Sequence, residues 1–163
     1  MHSSLLFGPV KSGLIGVLGR EGGMTKDDIV GVYRTLGEDI VHADGRVVSD
    51  GQRSAQIMYS PDGYMSVVSM PNGRKLLART SGGPNLNAAT PEERAAAAEG
   101  MVCYAGRYEL KDGVMHHRVE MALNPNAVGQ TIIRQVTLNG ADLTLSSVPA
   151  PDGSYRRIRW RRV

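Results

Sequence analysis

The 163-residue sequence contains little of what builds cross-links, base-stacking surfaces or membrane spans. Its single cysteine, Cys103, excludes an intramolecular disulfide and a cysteine zinc site, and we predict that it is a small buried side chain in a protein of a reducing compartment. Aromatic residues make up 5% of the chain, which also lacks a helix-turn-helix pattern and an RNA-recognition signature. These absences argue against nucleic acid as the partner.

Long hydrophobic runs are also missing. The most apolar stretch, residues 1–24, is interrupted by glycine, proline and lysine and falls short of the roughly 20 apolar residues that span a membrane. It has no basic residue ahead of its first apolar group and no clear cleavage site, so it is a poor secretory signal and we expect a cytoplasmic protein. Two interpretations of this segment remain open: an apolar flap over a binding site, or an extension, such as a tag remnant, packed on the outside.

Several classes of catalytic site are absent as well. The sequence has no P-loop, dinucleotide fingerprint, nucleophile elbow or cysteine–histidine pairing. The adjacent His116 and His117 point to opposite faces of a regular strand, so they cannot bind one metal ion together. We therefore predict no metal and no cofactor, and any catalysis would be acid–base chemistry by side chains alone.

The sequence is instead rich in short strand-like runs. Between residues 103 and 145, turn signals at 111–113, 124–129 and 139–140 separate four runs of alternating β-type residues. Short strands at near-regular spacing favour an antiparallel sheet or barrel. A barrel interior is where a chain of this size can hold a ligand, so polar residues on its apolar face become the functional candidates.

The rest of the chain fits the same all-β class with one helix. A helix cap or turn is predicted at residues 25–28 and a first strand from Ile29 up to Ile40. Apolar runs at residues 53–59 and 64–70 flank a turn containing proline and glycine, which predicts a hairpin. Residues 90–100 open with threonine, proline and two glutamates and close on glycine, which predicts one short helix. We therefore predict one barrel domain over residues 25–163, preceded by the extension.

The last eight residues, RRIRWRRV, hold much of the excess positive charge of a chain whose formal net charge is +3. As a strand, this segment places on one face Arg156, Ile158, Trp160 and Arg162, and on the other Tyr155, Arg157, Arg159 and Arg161. Two interpretations remain open. The segment is either a closing barrel strand with a solvated arginine face and an apolar plug, or a phosphate-binding stripe.

Several short segments carry a resemblance to a known family. They are residues 31–34 (GVYR), 59–65 (YSPDGYM), 104–108 (YAGRY), 116–117 (HH), 124–125 with Gly129, Arg134 and 160–162 (WRR). Their order and spacing over most of residues 29–163 resemble the lipocalin-like domain family of bacteria and fungi, single-domain relatives of the calycin barrels. The chain departs from that family at Tyr33, where tryptophan is common, and in its apolar extension. The resemblance implies an up-and-down β-barrel that binds a small, largely apolar molecule, and some barrels of this general type in biosynthetic pathways look like cofactor-free cyclases or isomerases.

Period-two alternation selects the side chains that point into such a barrel. The inward sets on three successive strands are predicted to be Val102, Tyr104, Tyr108 and Leu110, then Met115, His117, Val119, Met121 and Leu123, then Ile132, Arg134, Val136 and Leu138. His117, Arg134, Tyr104 and Tyr108 are therefore polar groups in an apolar interior. The opposite set of His116, Arg118 and Glu120 is predicted to be a solvated face.

These inward polar groups suit ligand chemistry. An arginine in an apolar cavity is costly unless paired, so Arg134 predicts a ligand carboxylate, enolate or phenolate; a salt bridge to Glu109 or Glu120 after a register slip is the alternative. His117 is a candidate general acid or base, and Tyr104 a candidate donor to an oxyanion. The alternative for both is a structural hydrogen bond of the core.

We predict catalytic roles for His117, Arg134 and Tyr104. The ligand-binding residues are predicted to be Tyr108, Tyr64, Met58, Met121, Val119 and Trp160. Two functions fit: a cofactor-independent isomerase, cyclase or dehydratase acting on a polyketide-like, terpenoid or aromatic compound, or a non-catalytic carrier or sequestering protein for a hydrophobic ligand. A weaker third hypothesis is that the arginine-rich end binds nucleic acid or an acidic partner, and a homodimer is left open.

Overall fold

The computed structural model describes residues 23–78 and 83–163. The elements in chain order are α1 (Lys26–Ile29), β1 (Gly31–Val41), β2 (Val47–Ser49), β3 (Arg53–Tyr59), β4 (Tyr64–Pro71), α2 (Pro91–Ala98), β5 (Val102–Lys111), β6 (Val114–Ala122), a 3-10 turn (Pro125–Ala127), β7 (Thr131–Asn139), β8 (Asp142–Ser147) and β9 (Tyr155–Arg162). The extension predicted for residues 1–24 lies outside the described residues apart from its last two, so the domain boundary stays a prediction. Within the described ranges, no helix is long and apolar enough to cross a membrane.

Eight of the strands close into an antiparallel up-and-down barrel, which confirms the predicted fold class. From β3 to β9 each strand pairs with the next, β1 pairs with β3 near its start, and β1 also pairs with β9 from Tyr33 to Val41. The sequence reading did not anticipate β2, a short strand that forms a hairpin with the last residues of β1. Closure leaves those eight strands without an unpaired edge.

The predicted hairpin and helix are both present. The hairpin of β3 and β4 turns at Gly63, whose φ of +87° suits glycine better than any other residue. Helix α2 begins with a capping box in which the Thr90 hydroxyl accepts from the Glu93 N–H at 3.2 Å and the Glu93 carboxylate accepts from the Thr90 N–H at 2.9 Å. The helix stops just before Gly100, where φ is +68°.

One end of the barrel, which we call the base, is filled by packed side chains. Its core contains Ile29, Tyr33, Tyr59, Met65, Tyr108, Met115 and Leu143. Helix α1 covers this end, because Ile29 is fully buried and its carbonyl accepts a hydrogen bond of 2.8 Å from the Tyr33 hydroxyl. The Tyr108 hydroxyl donates to the Ser60 carbonyl at 2.7 Å. Apolar packing and satisfied hydroxyls therefore close the base.

Two β-bulges change which side chains point inward. In β1, Leu36 has no partner on β9, and in β6, Glu120 has no partner on β5, where the pairing shifts between Ala105 and Gly106. The second bulge needs glycine, because a Cβ at Gly106 would lie 2.0 Å from the Arg118 carbonyl oxygen. Beyond each bulge the alternation of faces is inverted relative to the preceding residues.

The arginine-rich segment is the closing strand β9, and its outward arginines have carboxylate partners. Arg157 and Arg159 approach Asp39 at 3.0 and 3.4 Å, and Arg161 binds Asp142 at 2.8 Å. This pairing favours the closing-strand interpretation over a phosphate-binding stripe. The burial predicted for Cys103 is wrong: the side chain is exposed because inward residues flank it on β5.

Candidate functional site

The half of the barrel away from α1 contains a cavity of about 310 Å³. Apolar side chains line most of it, including Ile57, Val67, Leu145, Ile158 and Trp160. The polar lining residues are Thr35, Glu38, Arg53, Ser69, Tyr104, His117, Arg134 and Arg156. The cavity lies above the packed base, so the barrel is filled at one end and hollow at the other.

His117 lies in the cavity wall between two tyrosines. Its side chain is 1% exposed, its Nε2 lies 2.9 Å from the Tyr59 hydroxyl, and its Nδ1 lies 3.0 Å from the Tyr104 hydroxyl. The three residues come from β6, β3 and β5. The alternation of each strand directs its residue inward, and the pairing of β5 with β6 sets Tyr108 opposite His117. Both ring nitrogens therefore have partners within the protein.

Tyr59, His117 and Tyr104 form a hydrogen-bonded row, and all three groups are held in their neutral forms. Burial, followed by the charge of Arg134 and then of His116, lowers the pKa of His117 from 6.5 to about 3. Burial raises the pKa of the Tyr59 hydroxyl well above its usual value, and burial also raises the pKa of Tyr104 although Arg134 opposes the shift. Near neutral pH the row consequently consists of one neutral imidazole and two protonated phenols.

Arg134 brings a positive charge into the cavity from β7. Its guanidinium donates to the neighbouring Ile133 carbonyl at 2.8 Å, and no carboxylate of the described ranges 23–78 and 83–163 forms an ion pair with it. Glu120 and Glu109, the partners that a register slip would have supplied, pair instead with Arg107 at 3.7 Å and Arg118 at 3.1 Å. These exposed pairs lie on the outer face and leave Arg134 facing the cavity.

The cavity's other two arginines, by contrast, share buried or half-buried carboxylates. Glu38, whose side chain is 10% exposed, contacts both Arg156 and, at 3.7 Å, the Nε of Arg53. Arg156 also binds Asp50 at 2.5 Å, and Arg53 donates to the Ser69 hydroxyl at 2.9 Å. Two arginines and two acids balance one another in this cluster. The remaining unbalanced charge in the cavity is that of Arg134.

A second hollow of about 530 Å³, which we call the side groove, adjoins the cavity. It lies where β6 and β7 diverge, because their pairing ends at Arg118 and Thr131. The groove and the cavity share Val102, Tyr104 and Arg134 as lining residues. The polar wall therefore faces both spaces.

A family model matches the part of the chain that forms this barrel. The family model of the lipocalin-like domain matches residues 30–163, which is most of the chain. The chain belongs to the lipocalin-like domain family. Among solved structures, a lipocalin-like protein from Bacteroides uniformis ATCC 8492 is 14% identical, with a TM-score of 0.42, and the match covers 83% of this chain and 99% of that one. No curated protein matches the chain.

The lipocalin-like domain brings together four of the nine residues predicted for the site. His117, Arg134, Tyr104 and Trp160 all line the cavity, and of the two adjacent histidines His117 is the inward one. The indole Nε1 of Trp160 is buried and has no hydrogen-bond partner among the described residues. Their roles in binding or catalysis remain proposals.

Two more of the nine are buried but lie outside the cavity lining. Tyr108 belongs to the core of the base, where its ring packs edge-on against Tyr59 with centroids 4.8 Å apart. Val119 is 3% exposed and pairs with Gly106. Both side chains point inward as predicted, but they lie below the cavity, where packed side chains fill the interior of the barrel.

The remaining three residues lie on the outer face, contrary to the expected position in the cavity. Met58 and Tyr64 are 40% and 45% exposed because they alternate with the inward residues of β3 and β4. The Arg107 guanidinium stacks on the Tyr64 ring at 4.4 Å. Met121 is 64% exposed because the bulge beside Gly106 inverts the faces of β6, so that Ala122 instead of Met121 is paired with the inward Tyr104.

The sequence reading missed several functional candidates. Alternation along β3 places Arg53 and Tyr59 on the same face as Ile57, so extending the alternation to this strand would have found both. Alternation along β9 already placed Arg156 on the same face as Ile158 and Trp160, although it was not among the predicted site residues. Glu38 carried no such signal, because regular alternation from Tyr33 points Asp39 inward and only the bulge brings Glu38 into the cavity.

Proposed function

We propose that this lipocalin-like domain binds a small, largely apolar molecule that presents an anionic oxygen or another oxygen acceptor to Arg134. The observation that carries the proposal is the charge balance of the cavity. Arg53 and Arg156 share Glu38, and Arg156 also binds Asp50, whereas Arg134 has no carboxylate partner within the described ranges. Arg134 is half-buried in a mainly apolar wall, so a ligand carboxylate, enolate or phenolate would give its guanidinium a charge-assisted partner.

The size and lining of the site support a compact, apolar ligand body. A volume of about 310 Å³ is near the lower end of the roughly 300–1,000 Å³ of small-molecule pockets. Aliphatic walls and the Trp160 indole would surround the ligand body, and a longer ligand would continue past Tyr104 into the side groove. Polyketide-like, terpenoid and aromatic compounds with one oxygen-bearing end fit this description.

Decanoate and decylamine form a matched pair of probes for the role of Arg134. The chain has one tryptophan, and because Trp160 lines the cavity its fluorescence reports occupancy. We expect decanoate to bind more tightly than decylamine, and we expect Arg134→Gln to weaken decanoate at least tenfold, the loss of about one charge-assisted hydrogen bond. Arg118→Gln, which removes an arginine from the outer face, is the control and should leave the affinity unchanged. Equal affinities in wild type and Arg134→Gln would contradict the proposal.

A second candidate function is a cofactor-free isomerase, cyclase or dehydratase that works in the same cavity. The row of Tyr59, His117 and Tyr104 supports it, because continuous hydrogen bonds reach from the core to the cavity surface and offer a path for a proton. In this mechanism Tyr104 gives its proton to the substrate oxygen, the Nδ1–H of His117 and the Arg134 guanidinium stabilise the tyrosinate that remains, and the tyrosinate then takes up the proton released from the substrate carbon. The low pKa of His117 keeps its imidazole neutral, so it supports Tyr104 by a hydrogen bond and does not itself serve as the base.

Native mass spectrometry with a panel of aromatic, polyketide and terpenoid compounds separates the two candidate functions. A compound that stays bound with its mass and spectrum unchanged supports a carrier or sequestering protein. An isomerised, cyclised or dehydrated product that disappears in Tyr104→Phe and His117→Gln, but persists in His116→Gln, supports the enzyme. Cytoplasmic location and the homodimer remain predictions from the sequence.

A further inference from the structure

The two hydrogen bonds in the row of Tyr59, His117 and Tyr104 can run in either donor-to-acceptor direction. The burial of the two hydroxyls decides between these directions. A neutral imidazole carries one N–H and one lone pair, so one ring nitrogen donates and the other accepts. If Nε2 accepts from the Tyr59 hydroxyl at 2.9 Å, then Nδ1 donates to the Tyr104 oxygen at 3.0 Å. In the opposite direction Tyr104 donates to Nδ1, and Nε2–H donates to Tyr59. The two directions present different groups to a ligand.

The surroundings of the two hydroxyls differ. The Tyr59 side chain is 2% exposed, lines neither the cavity nor the side groove, and has no hydrogen-bond partner other than His117 in the described part of the chain. If Tyr59 accepted from Nε2–H, its own proton would be buried without an acceptor, which costs the full desolvation of that group. Tyr104 lines both the cavity and the groove, where its proton can reach water or a ligand.

We propose that Tyr59 acts as a positioning residue: it holds His117 as the Nδ1–H tautomer and so makes Tyr104 a hydrogen-bond donor to the ligand. The inference rests on the proposed function and deepens it, because it sets the chemistry of the ligand's polar end. Tyr104, whose oxygen already accepts from Nδ1–H, then directs its O–H to the ligand, and Arg134 has donors alone. The site therefore selects a carboxylate, enolate or carbonyl oxygen and discriminates against ammonium and amide N–H groups at the same position.

The first test needs no ligand. Nitrogen-15 NMR of the wild-type protein at neutral pH, with His117 assigned through its bonded carbons, distinguishes the protonated from the unprotonated ring nitrogen. We expect a protonated Nδ1 and an unprotonated Nε2. The reverse pattern, or an imidazolium with both nitrogens protonated, would overturn the inference whatever the protein binds. This outcome is independent of the decanoate measurement, which tests the proposed function.

The second test measures the effect of Tyr59 on binding from outside the cavity. Tyr59→Phe removes the donor to Nε2, so His117 is free to become the Nε2–H tautomer and accept the Tyr104 proton. We expect the affinities for decanoate and for the neutral acceptor 2-decanone to fall about fivefold to tenfold, the worth of one net hydrogen bond. The NMR signals of His117 should change in the same variant.

Tyr33→Phe is the matched control, because it removes another buried tyrosine hydroxyl whose partners are the Ile29 carbonyl and Arg162. We expect it to lower stability while the His117 tautomer and both affinities stay at wild-type values. If Tyr59→Phe keeps wild-type affinity for both probes, Tyr59 does not position the site and the inference is wrong. If Tyr59→Phe does not fold, the wild-type tautomer alone decides.

Discussion

The base and the hollow half of the barrel use the same residue type in opposite ways. At the base, the Tyr33 and Tyr108 hydroxyls donate to backbone carbonyls and are satisfied within the protein. Where the base meets the hollow half, an imidazole lies between Tyr59 of the base and Tyr104 of the cavity wall, and the cavity is also lined by Arg134, which has no carboxylate partner in the described ranges. A tyrosine hydroxyl is thus structural where a backbone carbonyl accepts its proton. The hydroxyl of Tyr104, which donates to no backbone carbonyl among the described residues, is available to a ligand. The four predictions below test this contrast.

Two leucines lie on the same face of β8, one in each half of the barrel, so replacing each in turn compares the packing of the two halves. Leu143 is fully buried in the base, whereas Leu145, two residues on, lines the cavity. We expect Leu143→Ala to lower the free energy of unfolding by about 2–5 kcal/mol, as for other packed leucines. Leu145→Ala should cost at least about 1 kcal/mol less, because part of its surface already meets empty space. Urea denaturation measures both, and equal losses would mean that the two halves are packed alike.

Acid should destabilise the protein through His117. Its pKa is about 3 in the folded protein and about 6.5 in the unfolded chain, so between these values the unfolded chain binds a proton that the folded protein does not. Stability is therefore full above pH 6.5 and declines as the pH falls, by about 2–3 kcal/mol at pH 4.5. Denaturant unfolding at a series of pH values checks this.

Two histidine variants separate this effect from general acid denaturation. His117→Gln should lose most of the slope between pH 6.5 and 4.5, whatever its stability at pH 7. His116→Gln, which changes the neighbouring side chain on the other face, should keep it. If His117→Gln kept the wild-type dependence of stability on pH, other titratable groups would dominate that dependence. The hollow half would then be no more sensitive to acid than the base.

Glu38 tests the balance of charges around the cavity. Glu38→Gln removes a buried carboxylate shared by Arg53 and Arg156. We expect a loss of about 1–2 kcal/mol, below the 3–5 kcal/mol of a fully buried pair because Arg156 is half-exposed and keeps Asp50. The freed positive charge should also tighten decanoate binding. The exposed pair of Asp142 and Arg161 is the control, and Asp142→Asn should leave both the unfolding midpoint and decanoate binding unchanged.

The smallest effect is expected outside the barrel. Met121→Gln changes a side chain that is 64% exposed, so we expect a stability change within about 0.5 kcal/mol. We also expect no change in decanoate affinity by Trp160 fluorescence. A clear loss of affinity would return Met121 to the binding site, where the sequence alone had placed it, and would require the ligand to reach the outer face of β6.

The barrel could be predicted from the sequence because its signals are local. Turn residues at 60–63 and 139–140 and the alternation along β6 and β7 each reflect only their immediate neighbours. The same alternation placed His117, Arg134 and Tyr104 on one interior wall, and the structure brings them to one cavity. Within an unbroken strand, side chains two residues apart lie on the same face, so the sequence alone is enough to predict that they share it.

Bulges and long-range pairing could not be predicted in this way. Met121 and Glu38 were misplaced or missed because each follows a bulge, and a bulge depends on the partner strand: Gly106 on β5 determines the faces of β6. The hydrogen bond of His117 to Tyr59 likewise joins two residues that lie 58 positions apart in the chain. Such features arise from contacts between strands, which no local pattern encodes.

The bulge in β6 also determines the shape of the opening beside the cavity. One surplus residue, Glu120, has no partner on β5, and beyond it the strand presents the methyl group of Ala122 to the side groove while the longer Met121 faces outward. If Glu120 were instead paired regularly with β5, alternation would turn the Met121 thioether toward the same space. Glu120 thus acts as a spacer: although its own side chain points to solvent, its place in the backbone leaves room in the wall of the barrel.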